Sequence, residues 1–173
     1  MTLAVLPLLI LMAVIALALI NSGRVNNNLQ NLFVDRMKPI DQLKDVSDSY
    51  AVSMVDTVHK YRAGLFELER LQKEFSQARQ TADSAWNNYT STSLTGKERE
   101  LITRAGQDRV KVSRLVGQLL QDAEAGKLRD VKSGAFNKLV YCTFDPLQTE
   151  ISDLINIQLD EGASLFADST AQF

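Results

Sequence analysis

The sequence predicts an all-α protein: an antiparallel up-down-up-down four-helix bundle carried by an N-terminal transmembrane helix. Three observations predict it. Residues Leu3 to Ile20 (LAVLPLLILMAVIALALI) contain no charge, and a run of about 18 apolar residues is near the minimum that spans a bilayer core as a helix. The remainder repeats apolar residues at steps of three and four, which places them on one helical face after another. Pro 3 and Gly 8 are few for 173 residues, which favours long helices over sheet or loop.

The apolar run predicts a membrane helix over 3–20. A cleaved secretory signal is the rival reading, because Ala16-Leu17-Ala18 resembles a small-residue cleavage site. Against it, the run exceeds the usual apolar stretch of ~7–15 residues, and no Lys or Arg precedes it. The missing basic flank also leaves orientation unread, since Arg24 alone would place the bundle inside. All the charge follows Ile20, and the region 24–173 has the size of one domain.

Four helices divide that domain. The first, about 24–63, carries Leu29, Leu32, Phe33, Met37, Ile40, Leu43, Tyr50, Met54, Val58, Tyr61 and, just past its end, Leu65 on one face. Pro39 lacks an amide hydrogen and predicts a kink or short break there. Gly64 predicts its end, because glycine accepts the left-handed conformation. The second helix, about 66–91, aligns Leu68, Leu71 and Phe75 with Ala78, Ala82, Ala85, Trp86 and Tyr89, narrowing to alanines that admit a close neighbour. The third, about 96–125, has the clearest start: Thr95-Gly96-Lys97-Glu98 reads as a capping box. Leu101, Ala105, Val112, Leu115 and Leu119 follow, and Gly126 ends it. The fourth, about 130–168, carries Phe136, Leu139, Val140, Leu147, Ile151, Leu154, Ile155, Leu159 and Phe166, with Pro146 predicting a bend. Short connections between long helices give the up-down-up-down order.

Composition excludes several classes. The net charge of -2 offers no broad basic surface for nucleic acid. Cys142 is the single cysteine, so no internal disulfide forms, and with the single His59 it is too thin a set for a metal site. No Ser/His/Asp set, glycine-rich phosphate loop or paired-carboxylate motif is present, so neither an enzyme nor a cofactor is expected.

A series of segments then carries a resemblance. Phe33-Val34-Asp35-Arg36-Met37-Lys38-Pro39-Ile40-Asp41-Gln42-Leu43-Lys44 is followed by Ser49 to Lys60 (SYAVSMVDTVHK), Trp86-Asn87-Asn88-Tyr89, Leu94 to Glu98 (LTGKE), and Phe144-Asp145-Pro146-Leu147 leading into Ile155 to Leu159 (INIQL). In order and spacing these resemble the sensor domain of bacterial methyl-accepting chemotaxis receptors, over essentially the whole chain. The resemblance implies an inner-membrane receptor whose periplasmic four-helix bundle pairs as a homodimer. It implies that the domain binds a small molecule, an organic acid or amino acid, and passes a helix displacement through the membrane. The downstream signalling domains of such receptors are absent from this chain. The same sensor also precedes histidine kinase and diguanylate cyclase outputs, and a structural or adaptor bundle that binds a protein partner is the alternative of another class.

Candidate ligand residues lie where polar groups border the apolar face. Arg104, Asp108, Arg109 and Lys111 surround the Ala105–Val112 step of the third helix, and Tyr141, Cys142 and Thr143 occupy the turn before Pro146. Arg104, Arg109 and Lys111 are the expected charge partners of an anion, since arginine holds a carboxylate through two parallel hydrogen bonds. Tyr141 and Thr143 are the expected hydroxyl donors. The plainer alternative makes these solvated face charges paired along the helix. Val52, Val55 and His59 form a second apolar set beside the core stripe of the first helix, a wider arc than one core needs. They are the expected homodimer interface.

Overall fold

The structure, a computed structural model, describes residue 7, residues 11–23 and residues 36–170. Helix α1 spans Lys38–Ser47, a π-helical segment follows over Asp48–Met54, and α2 spans Val55–Arg62. These run on without a break as the first long helix. Helices α3 (Leu68–Thr90), α4 (Gly96–Glu124) and α5 (Ser133–Thr170) supply the other three. No strand occurs among the described residues. Of the apolar start, residue 7 and residues 11–20 are helical and exposed; its other residues, and the stretch 24–35 assigned above to the first helix, lie outside the described residues. Among the described residues no helix is long and apolar enough to cross a membrane.

The helix ends follow from local chemistry. Gly64 (φ 76°) and Gly126 (φ 71°) both take the left-handed conformation. Around each, two amides reach back to carbonyls of the last turn: Leu65 to Lys60 and Gly64 to Tyr61, then Lys127 to Asp122 and Gly126 to Ala123. Each pair satisfies orphan carbonyls that the helix end leaves. At the start of α4 the capping box is complete. The Glu98 amide donates to the Thr95 hydroxyl at 3.4 Å, and the Thr95 amide donates to the Glu98 carboxylate at 2.7 Å.

Residues 36 and 37 are π-helical, and the regular helix begins at Lys38 with Pro39 in the first turn of α1. A second irregularity follows in the π-helical segment, where Ser49 donates its hydroxyl to the Asp45 carbonyl at 2.7 Å. A π turn holds more residues than an α turn, yet the buried stripe continues on both sides of the segment. Leu43 and Val46 before the segment and Val58 and Tyr61 after it are all buried.

Complete burial of Leu43, Leu71, Ala105, Val112, Leu147 and Ile151 places one core between all four helices. Each fully buried Leu or Ile contributes about 1.5–3 kcal/mol. Polar pairs report how the helices run. Ser47 bonds Gln148 while the earlier Arg36 bonds Gln158 further along α5. Likewise Gln72, Asp83 and Tyr89 of α3 bond Glu124, Arg109 and Glu98 of α4, in falling order.

Two arginines tie the turns at the pole that holds Gly64 and Gly126. Arg62 donates to the carbonyls of Leu128 (3.1 Å) and Val131, with its guanidinium 3.9 Å from the Phe136 ring centre. Arg129 answers from the other turn, donating to the carbonyls of Tyr61 (3.2 Å) and Phe66 (3.1 Å). The opposite pole therefore holds Arg36, the α3–α4 turn and Gln158.

Candidate functional site

Three polar sites span the bundle. At the pole of Arg36, Glu98 is 0 % exposed. One of its oxygens caps α4, and the other accepts from the Tyr89 hydroxyl (2.9 Å) and from the Gln158 amide. The Gln158 carbonyl in turn accepts from Arg36 at 3.2 Å, and Arg36 pairs with Glu161. A buried carboxylate persists only when its lone pairs are met, and here donors from α3, the α4 turn and α5 meet them. Burial, then the bond and charge of Glu98, push the Tyr89 hydroxyl pKa well above its ordinary value. It stays a donor at physiological pH.

The second site lies at mid-height between the first, second and third long helices. Arg109, with a side chain 16 % exposed, donates to Asp83 at 2.5 Å and to the Tyr50 hydroxyl at 3.2 Å. Its guanidinium lies 4.8 Å from the Trp86 ring centre. This arginine is fully engaged in joining helices.

The third is a groove of about 240 Å³ between α4 and α5. Lys111, Arg114 and Gln118 line it from α4, and Leu139, Cys142 and Thr143 face them, with Pro146 at one end. Lys111 pairs with Asp108, which is itself buried. Glu150 on α5 is charge-coupled to the same cluster. Burial and then Asp108 raise its pKa above the ordinary 4.5, against the opposite pull of Arg104 and Lys111. A carboxyl whose pKa rises on folding contributes stability while protonated and loses it as pH climbs through the raised value. Glu150→Gln is therefore expected to melt above the wild type at neutral pH. The gap should close as pH falls below 4.5, where the native side chain is also neutral. Thermal melts across that range test this; a gap that stays constant with pH would assign the effect to packing instead.

The expected ligand residues are not one cluster. Lys111 and Thr143 do share the groove, but the Thr143 hydroxyl donates to the Leu139 carbonyl at 2.8 Å. Arg109 faces Tyr50 and Asp83, on another side of α4. Arg104 is exposed and lies 3.9 Å from Glu100 on its own helix. Tyr141, 44 % exposed, stacks on His59 with ring centres 6.2 Å apart. The cause is angular: Arg109 and Lys111 are two residues apart on one helix and point in different directions.

The expected interface set also divides. Val52 is 58 % exposed, whereas Val55 is 9 % exposed and belongs to the core. His59 is half-buried, edge-on to Phe136 at 5.2 Å.

Sequence reasoning missed Arg114, Glu98 as more than a cap, and the crossed pair Arg62 and Arg129. A signal for Arg114 existed. Lys111, Arg114 and Gln118 repeat at steps of three and four, as do Leu139, Cys142 and Pro146, so two stripes were available to face each other.

The description "Four helix bundle sensory module for signal transduction" matches residues 1–173, the whole chain. The chain belongs to this family of sensory modules. One relative of this module is the methyl-accepting chemotaxis protein NahY of Pseudomonas putida, 29% identical over 138 residues. That likeness covers 78% of this chain and 25% of NahY, so the sensory module spans about a quarter of the relative's length. No solved structure matches the sensory module.

Proposed function

We propose that this chain is the sensing part of a transmembrane chemoreceptor, an antiparallel up-down-up-down bundle outside the inner membrane that binds a small anionic metabolite. The observation that carries the reading is the family match across residues 1–173, apolar start included. The likeness to a methyl-accepting chemotaxis protein supports the chemotactic output. The run over 3–20 supports an anchor, since it is apolar over about the length a bilayer needs. The reversed order of paired residues between α1 and α5 and between α3 and α4 supports the helix directions.

In this reading the domain works as a homodimer through its first helix, with Val52 as the exposed apolar contact. Anchoring in one membrane raises the effective concentration of the two copies. A ligand that prefers one arrangement of the helices shifts the population towards it. Arg104, Lys111, Tyr141 and Thr143 remain the proposed ligand contacts, of which Lys111 and Thr143 share one groove, while Arg109 holds the helices. Calorimetry of the chain in nanodiscs, against a panel of organic acids and amino acids, tests this reading. Saturable binding of an acid is expected, together with crosslinking of Val52→Cys between copies. No binding across the panel, with binding of a periplasmic protein instead, would overturn direct sensing.

A further inference from the structure

We infer that the groove between α4 and α5 is a binding site for a small monocarboxylate with an apolar body, anchored by Arg114. The inference rests on the anionic-ligand reading above and names its place and chemical class.

Arg114 is exposed and makes no ion pair or hydrogen bond among the described residues. The other cation of the groove, Lys111, is already held by Asp108. The guanidinium fork is therefore the open donor, and its geometry matches one carboxylate through two parallel bonds. Beside it lie Leu115, buried at the base, and Leu139, whose side chain is exposed in the groove. These surfaces suit a short hydrocarbon body. A second carboxylate on the ligand would meet Asp108, with Glu150 charge-coupled behind it, so a dianion is disfavoured. The volume of about 240 Å³ is below the roughly 300–1,000 Å³ of drug-sized sites and restricts the occupant to a small molecule.

The site also touches α5 where that helix bends most easily. Pro146 has no amide hydrogen for the Cys142 carbonyl, so this turn lacks one helical bond. Thr143 and Thr149 flank it, and their hydroxyls bond back to Leu139 (2.8 Å) and Asp145 (3.0 Å), a pattern that bends helices. An occupant resting on Cys142, Thr143 and Pro146 bears on that turn, and α5 is the helix that continues towards the pole of Glu98.

The test uses the full chain in nanodiscs with sodium hexanoate, sodium succinate and hexylammonium chloride as probes. Hexanoate is expected to bind, succinate far more weakly, and hexylammonium not at all. Arg114→Gln should weaken hexanoate about tenfold, the ratio for one charge-assisted pair, and Leu139→Ser should also weaken it. Arg99→Gln, outside the groove, should leave it unchanged. Cys142 gives an independent readout, because it is exposed, lines the groove and is the single thiol. Bound hexanoate should slow its alkylation by a maleimide in the wild type and not in Arg114→Gln. If hexanoate binds with neither loss in Arg114→Gln nor protection of Cys142, the groove is refuted and the anionic-ligand reading stands. Equal binding of succinate or hexylammonium refutes the ligand class. If no acid in either experiment binds, both readings fall together.

Discussion

Glu98→Ala will destabilise the bundle by about 3–5 kcal/mol, since it leaves several buried donors without an acceptor at about 1–3 kcal/mol each. The side chain is 0 % exposed, so water cannot take its place. The Tyr89 hydroxyl and the Gln158 amide lose their acceptor, and the Thr95 amide loses its half of the capping box. The cavity adds to the cost. Glu98→Gln will recover only part of the loss. Its carboxamide has one acceptor oxygen, so its own N–H must face a donor on one side or the other. Urea unfolding of both variants measures this. A loss under about 1 kcal/mol in the alanine variant would show that the cap alone matters there. Because Gln158 also bonds Arg36, the same substitution loosens the contact between the start of the first long helix and the far part of α5. Those are the parts of the bundle nearest the two chain ends.

Arg109→Ala will cost about 2 kcal/mol of stability, from a charge-assisted bond and a partly desolvated cation–π contact. Asp83 remains half-exposed and can be rehydrated, which keeps the loss below that of Glu98. The distinguishing outcome concerns binding. Stability should fall while the affinity for any bound acid stays within about twofold, well under the tenfold that loss of a charge partner brings. A tenfold loss of affinity with unchanged stability would restore Arg109 to the ligand role suggested by its position in the sequence. Arg109→Lys separates charge from shape: a lysine keeps the attraction to Asp83 but cannot also present a planar fork to Tyr50 and Trp86.

The core and the helix ends were legible because their causes are local. A stripe such as Leu71, Phe75, Ala78, Ala82 and Ala85 is a period, and the structure buries every member of it. Gly64, Gly126 and the Thr95–Glu98 box act over fewer than two turns; the glycines end helices and the box starts one where their neighbours in sequence say they must. The candidate site was legible only in part. Lys111 and Thr143 fell in one groove because their helices run past each other at that level. Arg109 did not, although only two residues separate it from Lys111, because direction around a helix changes steeply with each residue.

By itself, then, the sequence determined that the described residues are helical, their glycine and capping-box boundaries, the apolar start and the kinship to sensory modules. Tertiary structure alone decided the rest. It assigned Arg109 to Asp83, Tyr50 and Trp86, placed Val55 in the core, made the Glu98 carboxylate a junction of helices, and left Arg114 open beside Leu139. The physical reason is range. Periodicity and capping depend on residues a few positions apart, whereas the partner of a polar side chain is set by which helix packs beside it and at what height.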